Sequence, residues 1–375
     1  VSPPPGLAAL NAREPSRPPE GAPALAAWSR KRRQWAGLGA ARRSARNAKT
    51  AKSGFHPTRV ARGAMDKAMQ HDTADIIGIN WGSSNFRAYR IDPAGRKVDE
   101  FARPAGVAAL GREGMVEVMR ELGQRWPVPA ARVYASGMVG SNIGWREAPY
   151  VKAPARLEEL KRGLVETEIG GTAVAIVPGV SCRRAFDDGP DVMRGEEMEL
   201  FGFAAANPEW NGLIALPGTH TKWARFSAGR IVDFFTSMSG EMFDRLTGAG
   251  LLASIVDGPA EDGPAFQEGV ATGRKRQLGL ATTLFGARAR VMQSRLARAD
   301  AASYLRGLLI GAEIADALAI HPGLQRAPVP LVGSGPLCKL YASALEGAGI
   351  TGIAIESGEA CVSGFARLHA ATEAP

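Results

Sequence analysis

Two short turns in this chain have the makings of anion sites. Gly82-Ser83-Ser84-Asn85 and Gly218-Thr219-His220-Thr221 each come after an apolar run. Such a turn aims consecutive backbone N–H groups and hydroxyls at one point, which suits a phosphate oxygen. Glycine lets the anion approach the backbone, and Ser or Thr adds donors without bulk. An ordinary hairpin has the same composition, so one turn alone says little. A third glycine-rich strand end, Gly333-Ser334-Gly335, would let a planar base or ribose lie against the backbone. Three such corners, each directly after an apolar strand and in this order, fit a nucleotide held between two domains. No GxxxxGK[ST] is present, so binding is not of the P-loop kind.

The second chemical feature is acidic. Asp187 to Gly202 crowds carboxylates and Arg194 ahead of a small-residue helix expected over 202–206. A solvated acidic loop before a helix N-terminus would look the same. As a site, it offers a general base for a hydroxyl nucleophile, with other carboxylates holding Mg2+ through water. Glu196 is the first choice of base and Asp191 the second. The third feature is the loop 136–150, dense in glycine, polar and aromatic residues. Trp145 and Tyr150 suit the walls of a pocket, and Asn142, Arg146 and Glu147 suit hydroxyls or a carboxylate. A packed omega-loop would account for the same composition.

Elements of alternating type must position these residues. Strands are expected over 75–81, 86–92 and 97–103, then a helix over 112–125 with Met115, Val118, Met119 and Leu122 on one side. A short strand over 133–136, a helix over 156–167 and an apolar strand over 173–178 complete a ribonuclease-H-like half. The order recurs with strands over 212–216, 223–226 and 230–235. Helices follow near 241–254, 264–272, 276–297 and 303–319, then a strand over 329–332, a helix over 337–347, a short strand over 353–355 and a helix over 358–370. Both halves begin strand, polar turn, strand, which suggests a duplication. Gly307 and Gly311, four apart in an apolar helix, permit the close crossing a hinge between domains needs; a plain core helix tolerates them too.

Charge is unevenly spread. Residues 1–64 hold 13 of the 46 Lys/Arg and 2 of the 37 Asp/Glu, so that segment carries +11 and the remainder −2. This Ala-, Pro-, Arg- and Gly-rich leader lacks apolar periodicity and is expected to be disordered. A transit peptide, a nucleic-acid-binding tail and a start placed too far upstream of Met65 and Met69 all fit it, the last being preferred. No apolar run approaches the ~20 residues of a membrane span. The three cysteines, Cys182, Cys338 and Cys361, have no metal-ligand spacing and are expected to be small buried hydrophobes.

The order of the Asn80–Asn85 turn, the Pro217–Trp223 turn and the Gly333–Gly335 end resembles the sugar-kinase branch of the actin/Hsp70/hexokinase superfamily. Within it, SGMVGSNIGW (136–145), DVMRGEE (191–197), PGTHTKW (217–223), MSGEMF (238–243) and LLIGAEIA (308–315) resemble the 2-dehydro-3-deoxygalactonokinase family, over about residues 75–370. The resemblance implies an α/β fold: two ribonuclease-H-like, actin/hexokinase-type domains around an interdomain cleft. The leader would span 1–71, the domain with the sugar-acid pocket 72–206, and the adenosine-side domain 207–375.

The resemblance further implies transfer of a phosphoryl group from Mg·ATP to the 6-hydroxyl of 2-dehydro-3-deoxy-D-galactonate. The partners would be the sugar acid and a second copy of the chain, as a homodimer, with no nucleic acid or membrane, in the cytoplasm. ATP would be held by Gly82, Ser83, Ser84, Asn85 and Arg87, by Gly218, Thr219 and His220, and by Gly333, Ser334 and Gly335. Gly140, Ser141, Asn142, Trp145, Arg146, Tyr150 and Lys222 would bind the sugar acid. Glu196, Asp191 and Arg194 would be catalytic, with Asp191 also at the metal. Arg194, Lys222 and Arg87 are alternatives for steadying the transferring group or gripping the substrate carboxylate. Related kinases carry Asp where this chain has Asn80, which would orient Mg2+-bound water. Asn keeps an oxygen acceptor but loses the charge, so either metal use is weaker or a neighbouring acid compensates. A non-catalytic or weakly active nucleotide-binding regulator is the alternative.

Overall fold

The chain's structure, a computed structural model, describes residues 74–373; the leader and its three readings lie outside the described residues. The first sheet opens with a meander of β1 (Ile76–Trp81), β2 (Phe86–Ile91) and β3 (Lys97–Arg103). β4 (Val133–Gly137) joins parallel to β1, followed by the hairpin β6 (Val165–Ile169) and β7 (Thr172–Ile176), giving the order β3-β2-β1-β4-β7-β6. The second sheet repeats the plan. Its meander is β10 (Gly212–Leu216), β11 (Thr221–Ser227) and β12 (Arg230–Ser237), and β13 (Val329–Gly333) and β14 (Gly352–Glu356) add in parallel, in the order β12-β11-β10-β13-β14. The suggested duplication is therefore present in strand order, and the ribonuclease-H-like expectation holds for both halves.

Period-2 alternation sorts the first sheet's side chains. Ile77, Ile79 and Trp81 join one buried cluster, with Met115, Val118, Met119 and Leu122 of α1 (Arg112–Arg125). Burying each such side chain contributes ~1.5–3 kcal/mol. Ile76, Tyr89 and Ile91 join the cluster on the other face, which extends to Phe365 in the last helix, α10 (Ser357–Glu373). That helix follows the second sheet yet packs along α3 (Glu196–Ala206), where Gly202 abuts Ala360 and Gly364 abuts Met198. It thereby ties the helix that carries the acidic motif to β1.

The expected helix over 156–167 is half wrong. Only α2 (Leu157–Arg162) is helical, and Gly163 ends it. Val165–Ile169 alternates and pairs with β7 across the Gly170-Gly171 turn. A small sheet of β5 (Tyr150–Lys152), β8 (Gly179–Arg183) and β9 (Pro190–Met193), in the order β5-β8-β9, was not expected at all. The remaining helices are α4 (Ser239–Gly248), α5 (Gly250–Ala253), α6 (Pro264–Arg274), α7 (Leu280–Met292), α8 (Arg298–Ile320) and α9 (Gly335–Glu346). Gly307 and Gly311 let α8 cross α6 backbone to backbone: a Cβ on either would overlap the carbonyl oxygen of Phe266 or Val270. Both helices lie between β12 and β13, so the small-residue crossing belongs to the second half and is not a hinge between halves. Among the described residues no helix is long and apolar enough to cross a membrane.

Candidate active site

The first turn is held from behind. The Gly82 N–H donates to Asn85 O (2.9 Å), while the carbonyls of Gly82 and Ser83 accept the N–H groups of Val107 (3.0 Å) and Ala108 (3.1 Å). The N–H groups of Ser83, Ser84 and Asn85 donate to nothing among the described residues, and the side chains of Ser84 and Asn85 are exposed. The second turn follows the same logic. Its Gly218 N–H faces Thr221 Oγ1 (3.4 Å) and the Thr219 carbonyl accepts the Glu241 N–H (2.8 Å), which leaves the Thr219 and His220 N–H groups without acceptors. Each turn thus presents consecutive unpaired amides, the arrangement an anion fills. The side chain of His220 is not free for a ligand, because its Nε2 pairs with Glu241 Oε2 at 2.6 Å.

Sequence reasoning missed the group that braces this second turn. Glu313, almost fully buried in α8, accepts Trp223 Nε1–H (2.7 Å), the Tyr341 hydroxyl (2.9 Å) and the Ser239 hydroxyl. Tyr341 OH in turn meets Thr221 Oγ1 at 2.8 Å. Burial raises the Glu313 carboxyl above the usual range, against the pull of these donors. The signal lay in Glu313 itself, an acid inside the apolar run LLIGAEIA. The third corner sits beside the second: a Cβ on Gly333 would lie 3.0 Å from Pro217 O.

The end of β1 and the start of β11 both reach the start of α3. That helix begins at Glu196, six residues before the expected 202, and Gly195 before it has φ +116°, a conformation that suits only glycine. A Cβ there would stand 3.2 Å from Gly137 Cα and 3.7 Å from Asn80 Oδ1. Asn80 at the end of β1 is therefore next to the helix start. From the second sheet, Lys222 brings its ammonium to 3.8 Å from Glu196 Oε1. Lys222 is 6 % exposed, whereas the Glu196 carboxylate stays partly open. Glu196 Oε2 accepts the Arg194 N–H at 3.0 Å, which fixes the carboxylate and leaves Oε1 facing Lys222.

Several other expected residues have their polar atoms engaged elsewhere. Asp191, in β9, accepts the Thr236 N–H (2.8 Å), the Thr236 hydroxyl (2.7 Å) and the Val192 N–H (2.8 Å), with Arg184 at 3.7 Å. Its oxygens fasten the small sheet to β12. The Arg194 side chain turns toward the polar loop, donating to Ala148 O (2.8 Å) and lying 4.2 Å over the Tyr150 ring, with its Nη1 buried against Gly140. Ser141 is buried with its hydroxyl on Met138 O (2.7 Å), and Arg146 reaches Glu166 O (3.1 Å) on β6. Arg112 stacks on Trp145 at 4.1 Å. Asn142 and Tyr150 remain exposed in that loop. Arg87 pairs in register with Asn80, and its side chain forms no hydrogen bond or ion pair among the described residues.

Two more acids follow Glu196 on α3. Glu197 is fully buried, with Oε2 on the Gly195 N–H (2.7 Å) and Oε1 unpartnered. Burial, then the neighbouring Glu196 charge, pushes its carboxyl up to about 8. Glu199 accepts the Ser357 hydroxyl and lies 3.8 Å from Cys361 Sγ; burial pushes it up to about 7. Cys361 is buried as expected, but it also receives the Asn80 Nδ2–H at 3.5 Å.

Known proteins share this layout. The model of the family described as 2-keto-3-deoxy-galactonokinase matches residues 80–368. A probable 2-dehydro-3-deoxygalactonokinase of Rhizobium meliloti (strain 1021) is 34% identical over 291 residues, 76% of this chain and 94% of its own. The 2-dehydro-3-deoxygalactonokinase of Escherichia coli (strain K12) is 32% identical over 293 residues, 78% of this chain and 97% of its own. A crystal structure from Sinorhizobium meliloti, of a protein assigned the same name, superimposes with a TM-score of 0.71 at 34% identity, over 80% of this chain and 96% of that one. The resemblance read from the five motifs is borne out, and the chain belongs to the 2-keto-3-deoxy-galactonokinase family.

Proposed function

We propose that the site at the start of α3 transfers the γ-phosphoryl group of ATP to the 6-hydroxyl of 2-dehydro-3-deoxy-D-galactonate, in cytoplasmic galactonate breakdown. The observation that carries this is the carboxylate–ammonium pair of Glu196 and Lys222, in which Lys222 directly follows one turn with unpaired amides and Glu196 follows Gly195, which abuts Asn80 just before the other. Phosphoryl transfer asks a protein chiefly for positioning and charge neutralisation. The amides of Ser83 to Asn85 and of Thr219 and His220 take the phosphate oxygens. The Gly333 corner takes the adenosine side.

Glu196 Oε1 accepts the proton of the sugar 6-hydroxyl. As that proton leaves, the O6–P bond forms, the bond from phosphorus to the bridging β,γ-oxygen breaks, and its electron pair departs with ADP. Lys222 offers its charge to the transferring group at the same point. Arg87, unpaired and on the same face as Asn80, is the next available cation. Asn142 and Tyr150 are the exposed contacts for the sugar acid.

The residues present suit a magnesium ion held mainly by phosphate and water. Among the described residues no three His, Cys, Asp or Glu side chains are grouped to hold a metal on their own, as expected for an ion that keeps its waters. Asn80 Oδ1, open toward Gly195, would orient one such water. When bound, the ion neutralises the β- and γ-phosphate oxygens. Asp191, its oxygens taken up by Thr236 and Val192, is left out of this role and out of the base role. A weakly active nucleotide-binding regulator is favoured only by the neutral Asn80. ATP consumption that requires the sugar acid separates the two; consumption without it, or none, rejects the kinase.

A further inference from the structure

Asn80 ends β1 directly before the first phosphate turn, where a carboxylate would attract a divalent cation and an amide does not. A carboxylate lies close by. Asn80 Nδ2 donates to Cys361 Sγ (3.5 Å), and that sulfur lies 3.8 Å from Glu199 Oε1. Glu199 stands three residues after Glu196 on α3, on the same side of the helix, and is only 8 % exposed. Its Oε1 accepts the Ser357 hydroxyl and, more weakly, the Cys361 thiol, while Oε2 accepts no hydrogen bond among the described residues. No Lys or Arg forms an ion pair with it there. A buried carboxylate with so few donors is unfavourable unless a positive charge comes to it. Arg87, the register partner of Asn80, is a cation whose charge acts on it.

We propose that Glu199 supplies, through Asn80 and bound water, the negative charge that Asn80 lacks toward the magnesium of bound Mg·ATP. Glu199 touches neither substrate nor ion in this role, which rests on the kinase reading above. The Asn80 amide then serves as the polar link between the buried acid and the site, with its Nδ2 turned toward Cys361 and Glu199 and its Oδ1 toward Gly195. A carboxyl placed there only to fill space would behave differently under a charge swap.

The test is calorimetric and uses the full chain. The β,γ-imido analogue of ATP is titrated into the protein with and without Mn2+, and the affinity gain due to the metal is the readout. In wild type the metal strengthens binding. Glu199→Gln keeps the shape and reduces that gain by about tenfold or more, the range for an outer partner of a metal site. Asn80→Asp combined with Glu199→Gln restores the gain to near the wild-type value. An unchanged gain in Glu199→Gln, or a double variant no better than the single, overturns the proposal. Should Glu199→Gln fail to fold, Asn80→Asp alone decides: the second charge increases the gain, and no increase overturns the role. Failure of wild type to bind the analogue would instead reject the kinase reading, whereas binding with an unchanged gain rejects Glu199 alone.

Discussion

Lys222 Nζ stands 3.8 Å from Glu196 Oε1, and the two come from different halves of the chain. Lys222 is the second residue of β11, directly after the second turn, and Glu196 opens α3 after Gly195, which abuts Asn80. One ion pair therefore fixes where the two repeats meet. It also places a proton acceptor and a positive charge together, as a hydroxyl attacking a phosphate requires.

Glu196→Gln keeps the shape and the Arg194 N–H contact but removes the proton acceptor. It should lower kcat by roughly 10²–10⁴-fold with little change in nucleotide affinity. Steady-state kinetics with both substrates checks this, and near-wild-type turnover would remove Glu196 from the role.

Lys222→Met keeps the buried stem and deletes the charge. A fixed charge aimed at the transferring group contributes about 10²–10³-fold to kcat in comparable settings. A loss of that size is expected, and Lys222→Met combined with Glu196→Gln should be far less than additive, since the two act on one step. Independent, fully multiplicative losses would show that the pair does not act as a unit.

Gly311→Leu drives a side chain into the carbonyl of Val270 where α8 crosses α6. Overpacking of this kind costs ~1–3 kcal/mol, more when the backbone must move. The expected result is a Tm lower by about 4 °C or more, read by thermal unfolding. An unchanged Tm would mean that the crossing is looser than described.

Glu197 gives stability a pH dependence of definite sign. Its carboxyl rises from 4.5 to about 8 on folding, so between these values the folded state holds the proton that the unfolded chain has lost. Its contribution is intact below the unfolded value and is lost as pH climbs toward 8. In EDTA, Glu197→Gln should therefore gain on wild type as pH is raised from 5 to 8, by on the order of a few kcal/mol, read as several degrees of Tm. A difference independent of pH would contradict the buried, proton-retaining Glu197.

Local pattern made much of this fold legible. Both meanders could be read because each pairs an apolar strand with a glycine-and-hydroxyl turn of fixed length, and α1 because its four apolar residues share one face. What escaped depended on distant partners. β5, β8 and β9 are strands of three to five residues, too short for periodicity; β8 and β9 form a local hairpin, and β5 joins it only through the distant register of Tyr150 with Gly179. Asp191 looked like an active-site acid until Thr236, 45 residues on, claimed both oxygens. Cys361 read as an inert hydrophobe because nothing near it in sequence shows the Asn80 amide packed on its sulfur. Glu196 was singled out through the motif around it; its contact with Lys222 could not be, since it joins α3 to β11.

The most direct measurement is ADP release in a coupled assay with a small panel of 2-keto-3-deoxy sugar acids, followed by identification of the phosphorylated product. The account predicts ADP formation that depends on 2-dehydro-3-deoxy-D-galactonate, discriminates against its epimer, and yields the 6-phosphate. ADP formation indifferent to every sugar acid, or nucleotide bound and never turned over, would contradict it.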